Sequence, residues 1–343
     1  MKVLSNSFPS VFETAFGNTE NSAKDLLSGI KIKKDNNWYM VGTLAKKGGI
    51  NPQRVINASP AEASYELLFR SAMVTLAGRV NNPCCITTGF PMSAYNAYKP
   101  YADAFLSKKH FLVEYDTRTF NTSGDIQKQT FDIDSFEVIP EIVGCIIGLK
   151  KVLAYKAPAN FIVISLGFGT IEGGIVAEEG LIHRTCFSSH GIQYAVNNMQ
   201  KELTRKFYLE MKNLHQLDDA FMKGSIVINR KRVDIRDIRK HILQQYYREV
   251  ISPLLRSYFS DADFENCEKM YLLGGGALYP ELSEAFTEEF ADTIPVEMAP
   301  QPEKLASIGY LYNSLRISGQ FPAKCGGVDI GNSSTVVSIF EEA

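Results

Sequence analysis

Three apolar runs in this chain each stop at a glycine-rich turn, and that repetition constrains the fold more than any other feature. They are FIVISLGFGTIEGG from residue 161, KMYLLGGGALYPEL from residue 269 and CGGVDIGNSSTVV from residue 325. The first and third read as strand, tight turn, strand; the second reads as strand, triple-glycine turn, helix. Glycine lets the backbone approach closely and adopt positive φ, so consecutive N–H groups can converge on an anion. One such loop is only a turn. Three, each hung on a buried strand, predict phosphate binding in an α/β protein. Asn332, Ser333 and Ser334 in the last loop and Thr170 in the first add side-chain donors. The loop Gly274-Gly275-Gly276, followed by Ala277, opens a helix, where an anion or a flat ring laid on the glycines is favoured. That loop is neither a GxxxxGK[ST] nor a GxGxxG motif, so P-loop and dinucleotide folds lose ground. Asp329 closes an apolar strand, where a carboxylate is costly unless paired or near a cation. A Mg²⁺ ion held through water on a nucleotide would satisfy it.

At 343 residues the chain exceeds one core, so two lobes are expected. Residues 8–58 read as strands and loops. SPAEASYELLFRSAMVTLAG (59–78) reads as a helix with Ser59 as N-cap, Pro60 at N1 and a capping box completed by Glu62. CCITTGFPM (84–92) is a buried strand ending in a Gly/Pro turn. Strands follow at 111–120 and 128–139. PEIVGCIIGLKKVLAYK (140–156) is a helix with Pro140 at N1, and with Gly144 and Gly148 on one face for close approach of another backbone. Residues 190–260 are mostly helical, interrupted by the hairpin SIVINRKRVDI, and 303–315 is a last helix.

A formal charge of -2 gives no bulk signal for nucleic acid, and no stretch is apolar and long enough to span a membrane. The N-terminus lacks the apolar run of a signal peptide. Six cysteines without a CxxC read as thiols in a reducing cytoplasm. The five histidines show no metal-ligand spacing; His190, before Gly191 near a cleft loop, reads first as a structural residue and otherwise as one that approaches the nucleotide.

Taken together, VDIGNSSTVV, VISLGFGTIEGG, YLLGGGALYPEL, VIPEIVGCI and LASIGYLYNSL resemble the phosphate, adenosine and connecting-helix motifs of the actin-like ATPase superfamily. The order FPSV, TTGFPMSAYNAY, VIPEIVG is most similar to plasmid-segregation actins of the ParM type and their archaeal relatives. The resemblance implies a two-lobed α/β actin-like (duplicated ribonuclease H-like) fold. Lobe I would hold 1–155 with 316–343, including a smaller part at about 10–60 and the hairpin 325–343. Lobe II would hold 156–315, with a smaller part at about 190–255. In the family the first phosphate hairpin opens the chain, whereas here it closes it, so the sequence looks circularly permuted.

The resemblance further implies ATP (or GTP) with Mg²⁺ between the lobes. Phosphates would be held by Gly331, Asn332, Ser333 and Ser334 and by Gly167, Phe168, Gly169 and Thr170. The purine would lie by Gly274, Gly275, Gly276 and Ala277. Asp329 would hold Mg²⁺ through water and Glu141 would orient the attacking water. Two positions depart from the pattern: Ser165 stands where the family carries an aspartate, and Phe168 replaces a glycine. Glu172 is the acidic residue that could compensate. The expected activity is slow nucleotide hydrolysis coupled to self-assembly into filaments, with an adaptor linking the filament to DNA or other cargo and no direct nucleic-acid or membrane binding. A small-molecule kinase of the same fold, or a scaffold that binds nucleotide without turnover, are the alternatives. The basic residues Arg230, Lys231, Arg232, Arg236, Arg239 and Lys240 read either as a solvated face or as a contact for DNA or an acidic neighbour.

Overall fold

The computed structural model describes residues 1–55, 58–207 and 214–341. The chain divides into two compact units, 1–151 with 306–343, and 152–305. The helix Leu305–Ile317 therefore falls almost wholly in the first unit, whereas the sequence division carried the second lobe to residue 315.

In chain order the first unit contributes β1 (Val3–Pro9), β2 (Val11–Thr14), β3 (Lys31–Lys34), β4 (Asn37–Val41), β5 (Gln53–Arg54), β6 (Cys84–Phe90), β7 (His110–Asp116) and β8 (Ile126–Pro140). The second unit carries β9 (Phe161–Leu166), β10 (Thr170–Ala177), β11 (Gly180–Leu181), β12 (Phe187–His190), the separate hairpin β13 (Ser225–Ile228) and β14 (Lys231–Asp234), then β15 (Lys269–Leu273) and β16 (Val296–Met298). The chain then returns to the first unit with β17 (Cys325–Ile330) and β18 (Ser334–Phe340).

The first unit's sheet runs β1-β18-β17-β6-β8-β7-β3-β4-β2-β5. Strand β8 spans two regimes: its second half is parallel to β6 and its first half antiparallel to β7. All seven residues of β6 are buried, as a strand covered on both faces requires. On one face the helix Ala63–Leu76 packs Leu68, Phe69 and Ala72 into a core with Ile86, Val328, Ile330 and Val337. The helix Leu305–Ile317 lies against β17 so closely that a Cβ on Gly327 would overlap the Ser307 carbonyl. That helix also touches Glu141–Leu153 backbone to backbone, since a Cβ on Gly309 would overlap the Gly144 carbonyl. The expected close approach at Gly144 is thus present. Strands β1 and β18 pair antiparallel from Val3↔Phe340 to Pro9↔Ser334, and the Glu341 N–H donates to the Lys2 carbonyl at 2.9 Å.

In the second unit β9 and β15 are parallel and β10 is antiparallel to β9, with β12 added to β10. Alternate residues Ile162, Ile164, Leu166, Ile171 and Ile175 face a core filled by helices Gln193–Phe207 and Arg236–Tyr246. The expected helical stretch 190–260 and its hairpin are present, residues 208–213 lying outside the described set.

Two helix starts differ from expectation. Ser59 does not cap the helix that begins at Ala63: its carbonyl accepts the Glu62 N–H at 3.0 Å, closing a separate turn, and Glu62 takes the cap position. Pro140 ends β8, and the helix begins with Glu141. No helix among the described residues is long and apolar enough to cross a membrane.

Candidate functional site

The hairpin between β17 and β18 turns through Gly331, Asn332, Ser333 and Ser334, closed by the Gly331 N–H donating to the Ser334 carbonyl at 3.0 Å. Its other carbonyls are taken from behind. Arg54 Nε donates to the Asn332 carbonyl at 2.7 Å, and the Ser10 N–H donates to the Ser333 carbonyl at 3.0 Å. Ser10 Oγ also meets Thr335 Oγ1 at 3.0 Å. The N–H groups of Asn332 and Ser333 have no partner among the described residues. A half-buried turn whose carbonyls are consumed and whose N–H groups are not is short of acceptors, the need an anion meets.

The turn between β9 and β10 repeats the arrangement. The carbonyls of Gly167, Phe168 and Gly169 accept the N–H groups of Ile192, Gln193 and Gly191 at 3.1, 2.8 and 3.1 Å. Those donors precede and open the helix Gln193–Phe207. A Cβ on Gly191 would lie 2.5 Å from the Gly167 carbonyl oxygen, so only glycine closes this brace. The N–H groups of Gly167 and Gly169 have no partner among the described residues.

The triple-glycine loop packs on the end of β9. Gly274 has φ +77°, and a Cβ there would lie 2.6 Å from the Leu166 carbonyl oxygen; one on Gly276 would lie 2.7 Å from Leu166 Cβ. Gly275 differs: a Cβ there would meet nothing within 4 Å. Two of the three glycines are demanded by packing, while the middle one faces open space. Ala277 is buried behind them.

Asp329 is half-buried at the fifth position of β17, and its carboxylate has neither a hydrogen bond nor an ion pair among the described residues. Burial pushes its carboxyl up to about 7. A cation beside it would relieve that desolvation, so the residue is chemically suited to the metal-holding role that the resemblance implies. Among the described residues no group of three or more His, Cys, Asp or Glu side chains could hold a metal ion by itself. Glu141 is the first residue of its helix, at the positive end of the helix dipole.

Ser165 and Glu172 stand directly opposite each other on β9 and β10, and Glu172 also faces Ser188 on β12. Both are buried, 3% and 2% exposed. Directly opposed residues share a sheet face, here the face away from the Ile164/Ile171 core. Glu172 therefore brings a carboxylate to the face where Ser165 supplies only a hydroxyl. Thr170 and His190 pair on the same face. The His190 carbonyl accepts Tyr246 Oη at 2.6 Å and its ring stacks on Tyr194, whose hydroxyl donates to Glu249 at 3.0 Å. Gly191, Ser10 and Arg54 were missed in the sequence. Gly191 could have been found as a glycine just ahead of a helix, but nothing local marks Ser10 or Arg54.

Residues 2–144 match the family of actin like proteins, in its N-terminal domain. By structure the chain is similar to Ta0583, an archaeal actin homolog, at 15% identity and TM-score 0.70, over 90% of this chain and 92% of that one. Its complex with ADP matches at 16% identity and TM-score 0.67, over 91% and 92%. A 15-stranded ParM filament from Clostridium botulinum matches at 16% identity and TM-score 0.69, over 90% and 92%. No curated protein sequence gives a match. The chain thus has the actin-like fold. More particularly, the match of residues 2–144 is to the N-terminal domain of actin like proteins, and the architecture is similar to that of the archaeal actin homolog and of the ParM filament subunit.

Proposed function

We propose that this protein binds a nucleoside triphosphate with Mg²⁺ and assembles into filaments of its own copies, hydrolysing the nucleotide slowly. The observation that carries the reading is the pair of braced turns, 331–334 and 167–169, each with carbonyls consumed and N–H groups left over. In this reading both turns donate to the phosphate chain, and Gly274–Ala277 receive the purine, ATP or GTP. When bound, Mg²⁺ supplies positive charge against the transferring phosphoryl group. Asp329 would hold it through water, Glu141 would orient the attacking water, and Ser165 with Glu172 would replace the family's aspartate. The solved complexes of similar fold, one with ADP and one a filament, support the reading by analogy only. An adaptor would connect the filament to DNA or other cargo in the cytoplasm. The chain order would be a circular permutation, for which the adjacent strands β1 and β18 leave room.

The test is 90° light scattering of the purified protein with Mg-ATP, Mg-GTP or a non-hydrolysable analogue, with phosphate release followed in parallel. Scattering that rises with nucleotide is expected, then decay as phosphate is released. Nucleotide binding without a rise would sink the filament reading. A second reading, binding without turnover, is favoured by Ser165; assembly with no phosphate release would establish it.

Gly275 gives a sharper test of the purine position. Gly275→Ala is expected to leave the melting temperature within about 2 °C of wild type, because its Cβ meets no neighbour. It should weaken nucleotide binding by roughly tenfold or more by lifting the ring off the glycines. Calorimetric titration with ATP and GTP measures this, and unchanged affinity would remove the purine from this loop.

A further inference from the structure

The second unit carries opposite charges at its two ends. Its hairpin turns at Asn229 and Arg230, both with positive φ (48° and 65°), the geometry of a tight two-residue turn, so Arg230 sits at the tip. Around it Lys223, Lys231, Arg232 and Lys240 are exposed and, like Arg230, make no ion pair among the described residues. Arg236 is paired with Asp234, leaving Asp237 as a local exposed acid. Arg239 leaves the basic set expected from sequence: its side chain is largely buried and donates to Glu281 at 2.8 and 3.0 Å and to the Phe221 and Met222 carbonyls. Met222 and Val227, 61% and 65% exposed, add apolar surface beside the cations.

The opposite end is acidic. Glu178 and Glu179 form the turn after β10, whose Val176 pairs with Phe161; Phe161 in turn pairs with Lys269 at the start of β15. Glu268 precedes that start, Asp261 lies in the short helix before it, Glu288 lies in the last turn of the helix Pro280–Glu289, and Asp292 lies in the loop leading to β16. All six are exposed and unpaired among the described residues. The separation follows from the packing. Arg239 pairs with Glu281 at the start of Pro280–Glu289, while Ser252 and Arg256 meet Glu289 at its end. The helical track 236–258 thus runs from the basic end to the acidic end, roughly 33 Å at 1.5 Å per residue.

Ends that far apart on one compact unit cannot neutralise each other within a molecule. We infer that the basic end around Arg230–Arg232 docks on the acidic end around Glu178, Glu179 and Asp292 of a second copy of this chain. The contact is head-to-tail, and repeated it does not close, so it builds an open polymer. The complement is present on the chain itself, which favours a copy over nucleic acid as the occupant. This inference rests on the filament reading above.

The test compares R230E/K231E/R232E, E178K/E179K/D292K and their equimolar mixture by nucleotide-dependent sedimentation, with ATP affinity as the control for folding. Each variant alone is expected to raise the critical concentration at least about tenfold at unchanged ATP affinity. The mixture should recover to within about threefold of wild type, because each altered end then meets its opposite in the other variant. Added salt should raise the wild-type critical concentration. A tip-reversed protein that assembles like wild type, or a mixture no better than its components, overturns the contact. Loss of DNA binding with assembly intact also overturns it, in favour of nucleic acid at the tip. Wild-type protein that never assembles counts against the filament reading instead.

Discussion

Asp329→Asn is expected to stabilise the nucleotide-free protein at pH 8 while abolishing its response to Mg-nucleotide. The carboxyl is half-buried, unpaired and pushed up to about 7 by burial. Its folded value thus lies above the unfolded one, about 4, and between the two the folded state binds more protons. Stability from this group is unaffected below about pH 4, falls as pH rises towards 7, and stays low above it. Three units correspond to about 4 kcal/mol; partial exposure reduces this to roughly 2–3 kcal/mol recovered by asparagine at pH 8, and little at pH 4. Wild type should regain that stability on adding Mg-ATP, because a cation stabilises the ionised form, whereas Asp329→Asn should not. Thermal melts at both pH values, with EDTA or with Mg-ATP, measure all four states. Equal shifts at pH 4 and pH 8 would remove the desolvation argument. Retained Mg-ATP stabilisation in the variant would remove the metal from Asp329.

The loops were legible because sterics leave little choice at them. Gly274 combines positive φ with contact on the Leu166 carbonyl, and the sequence records both demands as glycine after an apolar strand. What braces the loops was not legible. Arg54 reaches Asn332, and β1 completes the sheet beside β18, across almost the whole chain length. Local patterning carries no signal for such pairings. The opposition of Ser165 and Glu172 depends on the three-residue turn that fixes strand register, and a slip of one residue would have put them on opposite faces. The helix Met92–Leu106 was missed because Pro100 lies inside it and reads as a breaker. At Ser59 the error ran the other way: the pattern of a capping box also suits a free-standing turn, and the backbone closes one there.

Gly309→Ala sets two local rules against each other and decides between them by a large margin. Helix propensity alone favours alanine by about 1 kcal/mol at an interior position such as this one in Leu305–Ile317. The new methyl, however, would overlap the Gly144 carbonyl and lie 2.9 Å from Gly144 Cα, and these are backbone atoms that cannot rotate aside. The two helices must separate, loosening the contacts of Leu311 and the buried Ser314–Thr87 hydrogen bond at 2.9 Å. A net loss of about 2–4 kcal/mol is expected, a fall in melting temperature of roughly 5–10 °C. Function should fall with it, because one helix begins with Glu141 and the other packs on Gly327, two residues before Asp329. Gly275→Ala, where the methyl meets nothing, is the matched control for stability. A Gly309→Ala protein as stable as wild type would mean that the helices part at no cost. The placement of Glu141 would then have to be fixed by something other than this backbone contact.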